Sequence, residues 1–237
     1  MKKLVLSLFF ATLAAPSFAQ DFTNAKDLVK ASYEKTGGDK WKSVHTMTMS
    51  SSMTIDAPTG QIFGTAKMSF KYPGYTHVKV LLDIPEEMGG TPGGMTQTQI
   101  MRPDTSLMMS DFGGTQGGPG GQGPEYPTDA IELLDRDDSS LSLEMGELDG
   151  KPMYIITATA DSTSDEYFYD PESLFRVARR AHAGGMDVTV YYGDFREVDG
   201  LTIPHEQHQE MNGMKQSMKF KDFEFNPPLD DSLFDVN

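Results

Sequence analysis

His45-Thr-Met-Thr-Met-Ser-Ser-Ser-Met-Thr-Ile55 is the stretch that decides the fold. His45, Met47, Met49, Met53 and Ile55 fall on one face, and Thr46, Thr48, Ser50, Ser52 and Thr54 fall on the other. A period of two is the pattern of a strand with one face packed and the other in water. The same alternation runs from Ile62 to Tyr72, where Ala66, Met68, Phe70 and Tyr72 oppose Thr65, Lys67, Ser69 and Lys71, and a third strand follows from Tyr75 to Leu82. Pro58-Thr-Gly60 and Pro73-Gly74 supply the turns between them.

Upstream, Asn24 to Lys35 reads as a helix capped by Thr23 or Asn24, with Leu28, Val29 and Tyr33 on one face and Gly37-Gly38 as its stop. Downstream, residues 86–124 hold 11 of the 23 glycines and read as strands, Thr96 to Arg102 and Ser106 to Phe112, carrying long mobile loops. A second short helix is predicted near Thr128 to Leu134, with Thr128 or Asp129 as cap. Six more strands follow, Met153 to Ala160, Glu166 to Tyr169, Leu174 to His182, Met186 to Arg196, Leu201 to Met211 and Met214 to Phe225. Asp149-Gly150, Asp170-Pro-Glu, Gly184-Gly185, Asp199-Gly200 and Asn212-Gly213 are the turn signals that set them in antiparallel order. A sheet of about eleven strands does not stay flat. The sequence therefore predicts a mainly β fold, a strongly curved, unclosed antiparallel half-barrel with two helices covering its concave face.

Residues 1–19 have the layout of a secretory signal: Lys2 and Lys3, the apolar run Leu4 to Ala15, then Pro16, Ser17 and Ala19 at a cleavage site. Export to the periplasm is the expectation, with residues 20–237 as a single domain and no transmembrane segment, since no later run reaches the length a spanning helix needs. The chain has 35 acidic against 20 basic residues and a net charge of −15, which argues against nucleic acid as a partner. The absence of Cys removes disulfides, thiol catalysis and a lipid-modified N-terminal cysteine.

Catalytic and metal motifs are weak. Gly113-Gly-Thr-Gln-Gly-Gly-Pro-Gly-Gly lacks the Lys-Ser/Thr of a phosphate loop and reads as a flexible loop. There is no Gly-x-Ser-x-Gly, so no enzyme is predicted and no cofactor is implied. His205-Glu-Gln-His208 has its imidazoles three apart in a strand, on opposite faces, which does not suit a metal. Asp135-Arg-Asp-Asp138 and Asp161 to Glu166 read as solvated turns rather than calcium loops.

Methionine is the unusual signal, with 15 of the 16 lying beyond the signal segment. Met47, Met49, Met53, Met68, Met214 and Met218 are in phase with Phe70 or Phe220 on apolar faces. Plain core packing, an adaptable apolar cavity and a thioether site for Cu(I) are the three readings of such a set.

Tyr191-Tyr-Gly-Asp-Phe-Arg-Glu-Val-Asp-Gly-Leu-Thr-Ile-Pro204, the hairpin at Asn212-Gly213 and the closing Phe223-Glu-Phe-Asn-Pro-Pro-Leu-Asp-Asp-Ser-Leu-Phe234 resemble the outer-membrane lipoprotein-sorting-protein-like (LolA/LolB-like) superfamily. The opening helix with Gly37-Gly38 and Trp41-Lys-Ser-Val44 resembles it too. The resemblance implies an unclosed barrel lidded by helices over an apolar cavity that accepts acyl chains of lipoproteins or other lipids. On this reading the ligand-binding residues are Met47, Met49, Met53, Met68, Phe70, Met214, Met218 and Phe220, and the protein is a periplasmic binding or carrier protein. The alternative is an envelope sensor or scaffold that meets a protein partner through its Gly-rich loops.

Overall fold

The computed structural model describes residues 22–58, 60–111, 113–119, 128–160, 163–183, 186–211 and 214–236. Residues 1–19, read above as a secretory signal, residues 112 and 120–124 of the Gly-rich region, and the turn positions Gly184-Gly185 and Asn212-Gly213 lie outside them.

Helix α1 (Ala25–Lys35) starts where the Asn24 side chain accepts from the Lys26 amide at 2.8 Å, and it buries Leu28, Val29 and Tyr33. A short 3₁₀ turn, Gly38–Ser43, then places Trp41 in the core. Six strands follow: β1 (Thr46–Ala57), β2 (Gly60–Lys71), β3 (Tyr75–Asp83), β4 (Met95–Met101), β5 (Thr105–Ser110) and β6 (Gly114–Pro119). Helix α2 (Asp129–Asp135), capped by the Thr128 hydroxyl, leads into β7 (Leu141–Leu148), β8 (Lys151–Ala160), β9 (Thr163–Tyr169), β10 (Arg176–Ala183), β11 (Met186–Val198), β12 (Leu201–Met211) and β13 (Met214–Phe225).

All thirteen strands form one antiparallel sheet in the order β6-β5-β4-β3-β2-β1-β13-β12-β11-β10-β9-β8-β7. It is unclosed, with β6 and β7 at its edges, and the helices pack on its concave side, as the alternation predicts. The count exceeds the expected eleven by β6, which has no apolar alternation, and by β7, where Leu141, Leu143 and Met145 alternate over only five positions. β6 corrects the reading of the Gly113 run as a loop: its backbone completes a ladder with β5, from Ser110↔Gly114 to Thr105↔Pro119, without needing side chains. Asp165 and Glu166 are a second correction. They lie in β9, paired with Arg179 and Arg180 at 2.9 Å each, rather than in a solvated turn.

The core joins α1 and α2 to Trp41, Tyr154, Ile156, Tyr167, Tyr169, Leu201 and Ile203. Leu28, Leu133 and Ile156 are fully buried, each stabilising the fold by about 1.5–3 kcal/mol.

Candidate functional site

Ladder register fixes which side chains share the concave wall. Met47 pairs with Phe70, Met49 with Met68, Ser51 with Ala66 and Met53 with Gly64, and the alternate residues, such as Ser50 and Lys67, face outward. Met53 also lies opposite Met218 on β13. A bulge then changes the phase of β13. Thr48 pairs with Glu224 but Ser50 pairs with Lys221, so Met49 faces two residues, and Asp222 takes φ 55° to accommodate the extra one. Phe220 and Phe223, an odd number of positions apart, are thereby turned to the same side, with ring centroids 6.4 Å apart.

Between this wall and the helices lies a cleft of about 230 Å³. Ser32 and Thr36 of α1, Trp41, Met47 and Met49, Thr128 to Ala130 at the start of α2, Tyr169, Arg176, Tyr192, Gln207, Phe220 and Phe223 are among the residues that line it. Trp41, the single tryptophan of the chain, donates from Nε1 to the Thr36 carbonyl at 3.0 Å and meets Phe225 edge-on at 6.1 Å. Pro204 adds to the opening. The β12–β13 ladder runs from Met211↔Met214 to Glu206↔Lys219 and no further, and beyond it Thr202, Ile203 and Pro204 face the cleft.

One ion pair sits in this apolar setting. Arg176 donates to the Asp129 carboxylate at the start of α2, its guanidinium lies 4.6 Å from the Tyr192 ring centroid, and its buried Nε has no partner among the described residues. Burial works against the charge on Arg176, but Asp129 and the surrounding tyrosines outweigh it and raise the pKa. Burial pushes the Tyr169 and Tyr192 hydroxyls above their ordinary range, so both stay neutral. The strands turn into Arg176 through Asp170, whose Oδ1 accepts from the Ser173 amide at 2.7 Å and the Ser173 hydroxyl at 2.8 Å.

Of the eight residues singled out in the sequence, Met47, Met49 and Phe220 line the cleft. Phe70 and Met68 continue the same wall across β2, and Met53 is buried beside them, its sulfur accepting from Gln216 Nε2 at 2.8 Å. Met218 is half-buried opposite Met53, and Met214 stands 38% exposed at the start of β13. Sequence reasoning missed Phe223, Trp41, Asp129, Arg176 and Tyr192. Asp222 inside an otherwise regular strand was the available signal for Phe223; nothing local links Asp129 to Arg176 across 47 positions. His205 and His208 point to opposite faces as expected, His205 beside Phe223 and His208 stacked on Tyr191 at 4.6 Å.

The unclosed antiparallel half-barrel, with an apolar inner wall and two helices on its concave side, is similar in fold to proteins of known structure, one of them a LolA superfamily protein. A LolA superfamily protein from Nitrosomonas europaea superposes with a TM-score of 0.56 at 13% identity, covering 90% of this chain and 98% of that one. A DUF1329 family protein from Desulfovibrio piger gives 0.58 at 12% identity, covering 89% and 95%. A domain assigned as an outer membrane lipoprotein-sorting protein from Vibrio parahaemolyticus gives 0.53 at 9% identity, covering 88% and 95%. No family model and no curated protein matches the chain.

Proposed function

We propose that this protein is a periplasmic, non-enzymatic binding or carrier protein that holds a lipid, an acyl chain or a lipidated partner on its concave wall. In this reading residues 1–19 direct export and are cleaved after Ala19, and residues 20–237 act as one domain without a cofactor. The observation that carries the proposal is a continuous apolar wall from Phe220 and Met218 through Met47, Met49 and Met53 to Met68 and Phe70, with a cleft at one end. Methionines are flexible and polarizable, so such a wall can repack around chains of varied shape. Among the described residues no helix is long and apolar enough to cross a membrane.

Binding would be driven by apolar burial, so affinity should climb with chain length by about 0.8 kcal/mol per methylene, roughly fourfold each, until the wall is covered. Titration of the purified protein with a C8 to C16 series tests this, and a flat response refutes it.

One observation favours a second reading, a scaffold for a protein partner. β6 is an edge strand of glycine, threonine and glutamine whose outer backbone groups face no further strand among the described residues. Replacing residues 113–123 by a short turn separates the readings: loss of a protein partner with ligand binding retained identifies the scaffold.

A further inference from the structure

On a chain with 35 acidic and 20 basic residues, the concave wall from β12 through β13 and β1 to β6 presents no Asp, Glu, Lys or Arg. The charges stand on the convex side, where Lys67 lies directly opposite Lys79, Lys219 opposite Glu206 and Lys215 opposite Glu210. On the concave side they resume at β9 and β10, where Arg176 and Arg179 are already paired with Asp129 and Asp165.

Polar positions on the wall are uncharged: the hydroxyls of Ser51, Thr76, Ser106 and Ser110, and a set of glutamines. Gln207, Gln209 and Gln216 flank the methionines on one side, and Gln97, Gln99 and Gln116 on the other. Five of them are half-buried and Gln116 is exposed, so solvent reaches this region and burial alone does not forbid charge there. Gln97 and Gln216 already turn their amides toward the wall, donating to Met108 and Met53 sulfurs at 3.0 and 2.8 Å. A carboxylate, phosphate or ammonium entering this trough would lose hydration and find no counter-ion. An ester, amide or hydroxyl would find both donors and acceptors, because each glutamine amide supplies both.

We infer that the ligand's polar end is uncharged: an acyl chain carried on ester, amide or hydroxyl groups rather than a free fatty acid, an acyl phosphate or a cationic lipid. This rests on the acyl-binding reading above. The wall selects by what it withholds, since a charged head is rejected through unpaired burial rather than through a clash.

Four C16 compounds, each below its micellar concentration, test it by displacement of an apolar fluorescent dye from the purified protein. 1-Monopalmitoylglycerol and N-palmitoylglycinamide should bind at least tenfold more tightly than palmitate and hexadecyltrimethylammonium. The stronger of the two neutral compounds indicates whether the natural source is a free lipid or an acylated chain. Gln99→Lys, or Gln116→Lys at the more exposed position, should raise palmitate affinity at least tenfold relative to monopalmitoylglycerol. Palmitate or the cation binding as tightly as the neutral pair overturns the inference while leaving acyl binding intact. If none of the four displaces the dye, the acyl-binding reading falls and this inference falls with it.

Discussion

The Asp129–Arg176 pair offers a sharp test of how α2 is held on the sheet. Its side chains are 28% and 24% exposed, so the pair is largely but not wholly desolvated. Breaking a fully buried pair costs about 3–5 kcal/mol, and the residual exposure lowers the expectation to about 2–3 kcal/mol. The two single substitutions should not cost the same. Asp129→Ala strands a guanidinium beneath the helix, stacked on Tyr192, with a buried Nε already lacking a partner among the described residues. It also removes a carboxylate from the first turn of α2, where the helix dipole favours one. Arg176→Met leaves an aspartate that can turn to solvent and still serve that helix end, and its thioether stem fills similar volume. The expected costs are about 3 kcal/mol for Asp129→Ala and about 1 kcal/mol for Arg176→Met, with the double variant close to the latter. Urea unfolding of the four proteins, repeated at high salt, measures the cycle. Additive losses, or Arg176→Met as the costlier single change, would refute the account of a stranded cation.

Three further outcomes follow from the same packing. A Cβ on Gly64 would lie 2.8 Å from the Leu81 carbonyl and 2.9 Å from Leu82 Cδ2, so Gly64→Val should cost about 1–3 kcal/mol in thermal or urea unfolding, and an unchanged midpoint would contradict the tight β2–β3 approach. Asp170 is held below the usual carboxylate range because hydrogen bonds from Ser173 and Glu172 outweigh burial, which acts the other way. Its contribution is therefore present above an unfolded pKa of about 4 and lost as pH falls through the lower folded value. Asp170→Asn should cost about 1 kcal/mol at pH 7, and its gap to the parent protein should narrow in melts at pH 3; an equal gap at both pH values would exclude the carboxylate as the cause. Lys67→Glu, which replaces a directly opposed lysine pair by opposite charges, should stabilise by about 0.5 kcal/mol at low salt and less at high salt, as paired melts would show.

β1 and β2 were legible because apolar side chains alternate with hydroxyl or lysine side chains along them and their turns carry Pro-Thr-Gly and Pro-Gly, while β11 to β13 are punctuated by Asp-Gly and Asn-Gly. β6 was not, because a strand of Gly, Thr and Gln at a sheet edge is held by its backbone ladder, which leaves no hydrophobic periodicity to read. The methionine wall followed from phase counting, since ladder register preserves parity from strand to strand. Phe223 escaped because a one-residue bulge inverts parity, and its only trace was an Asp at positive φ. Asp129 and Arg176 escaped for a different reason: a pairing between a helix start and a distant strand is a product of the whole curl, with no local pattern behind it.

Strand order has a consequence for how the molecule assembles. β1 to β6 and β7 to β13 are each simple meanders of neighbouring hairpins, and among the described residues the ladder joining them is that of β1 with β13, at Met47↔Phe225 and beyond. Local hairpins close quickly, and contacts between distant parts of a chain pay their loop entropy last. The two wings can therefore form before the seam between them zips. Met47, Met49 and Met53 belong to one wing and Met218, Phe220 and Phe223 to the other, so neither half alone carries the apolar wall. Its completion coincides with the meeting of the first strand and the last, so binding of the proposed ligand to the wall would report finished folding.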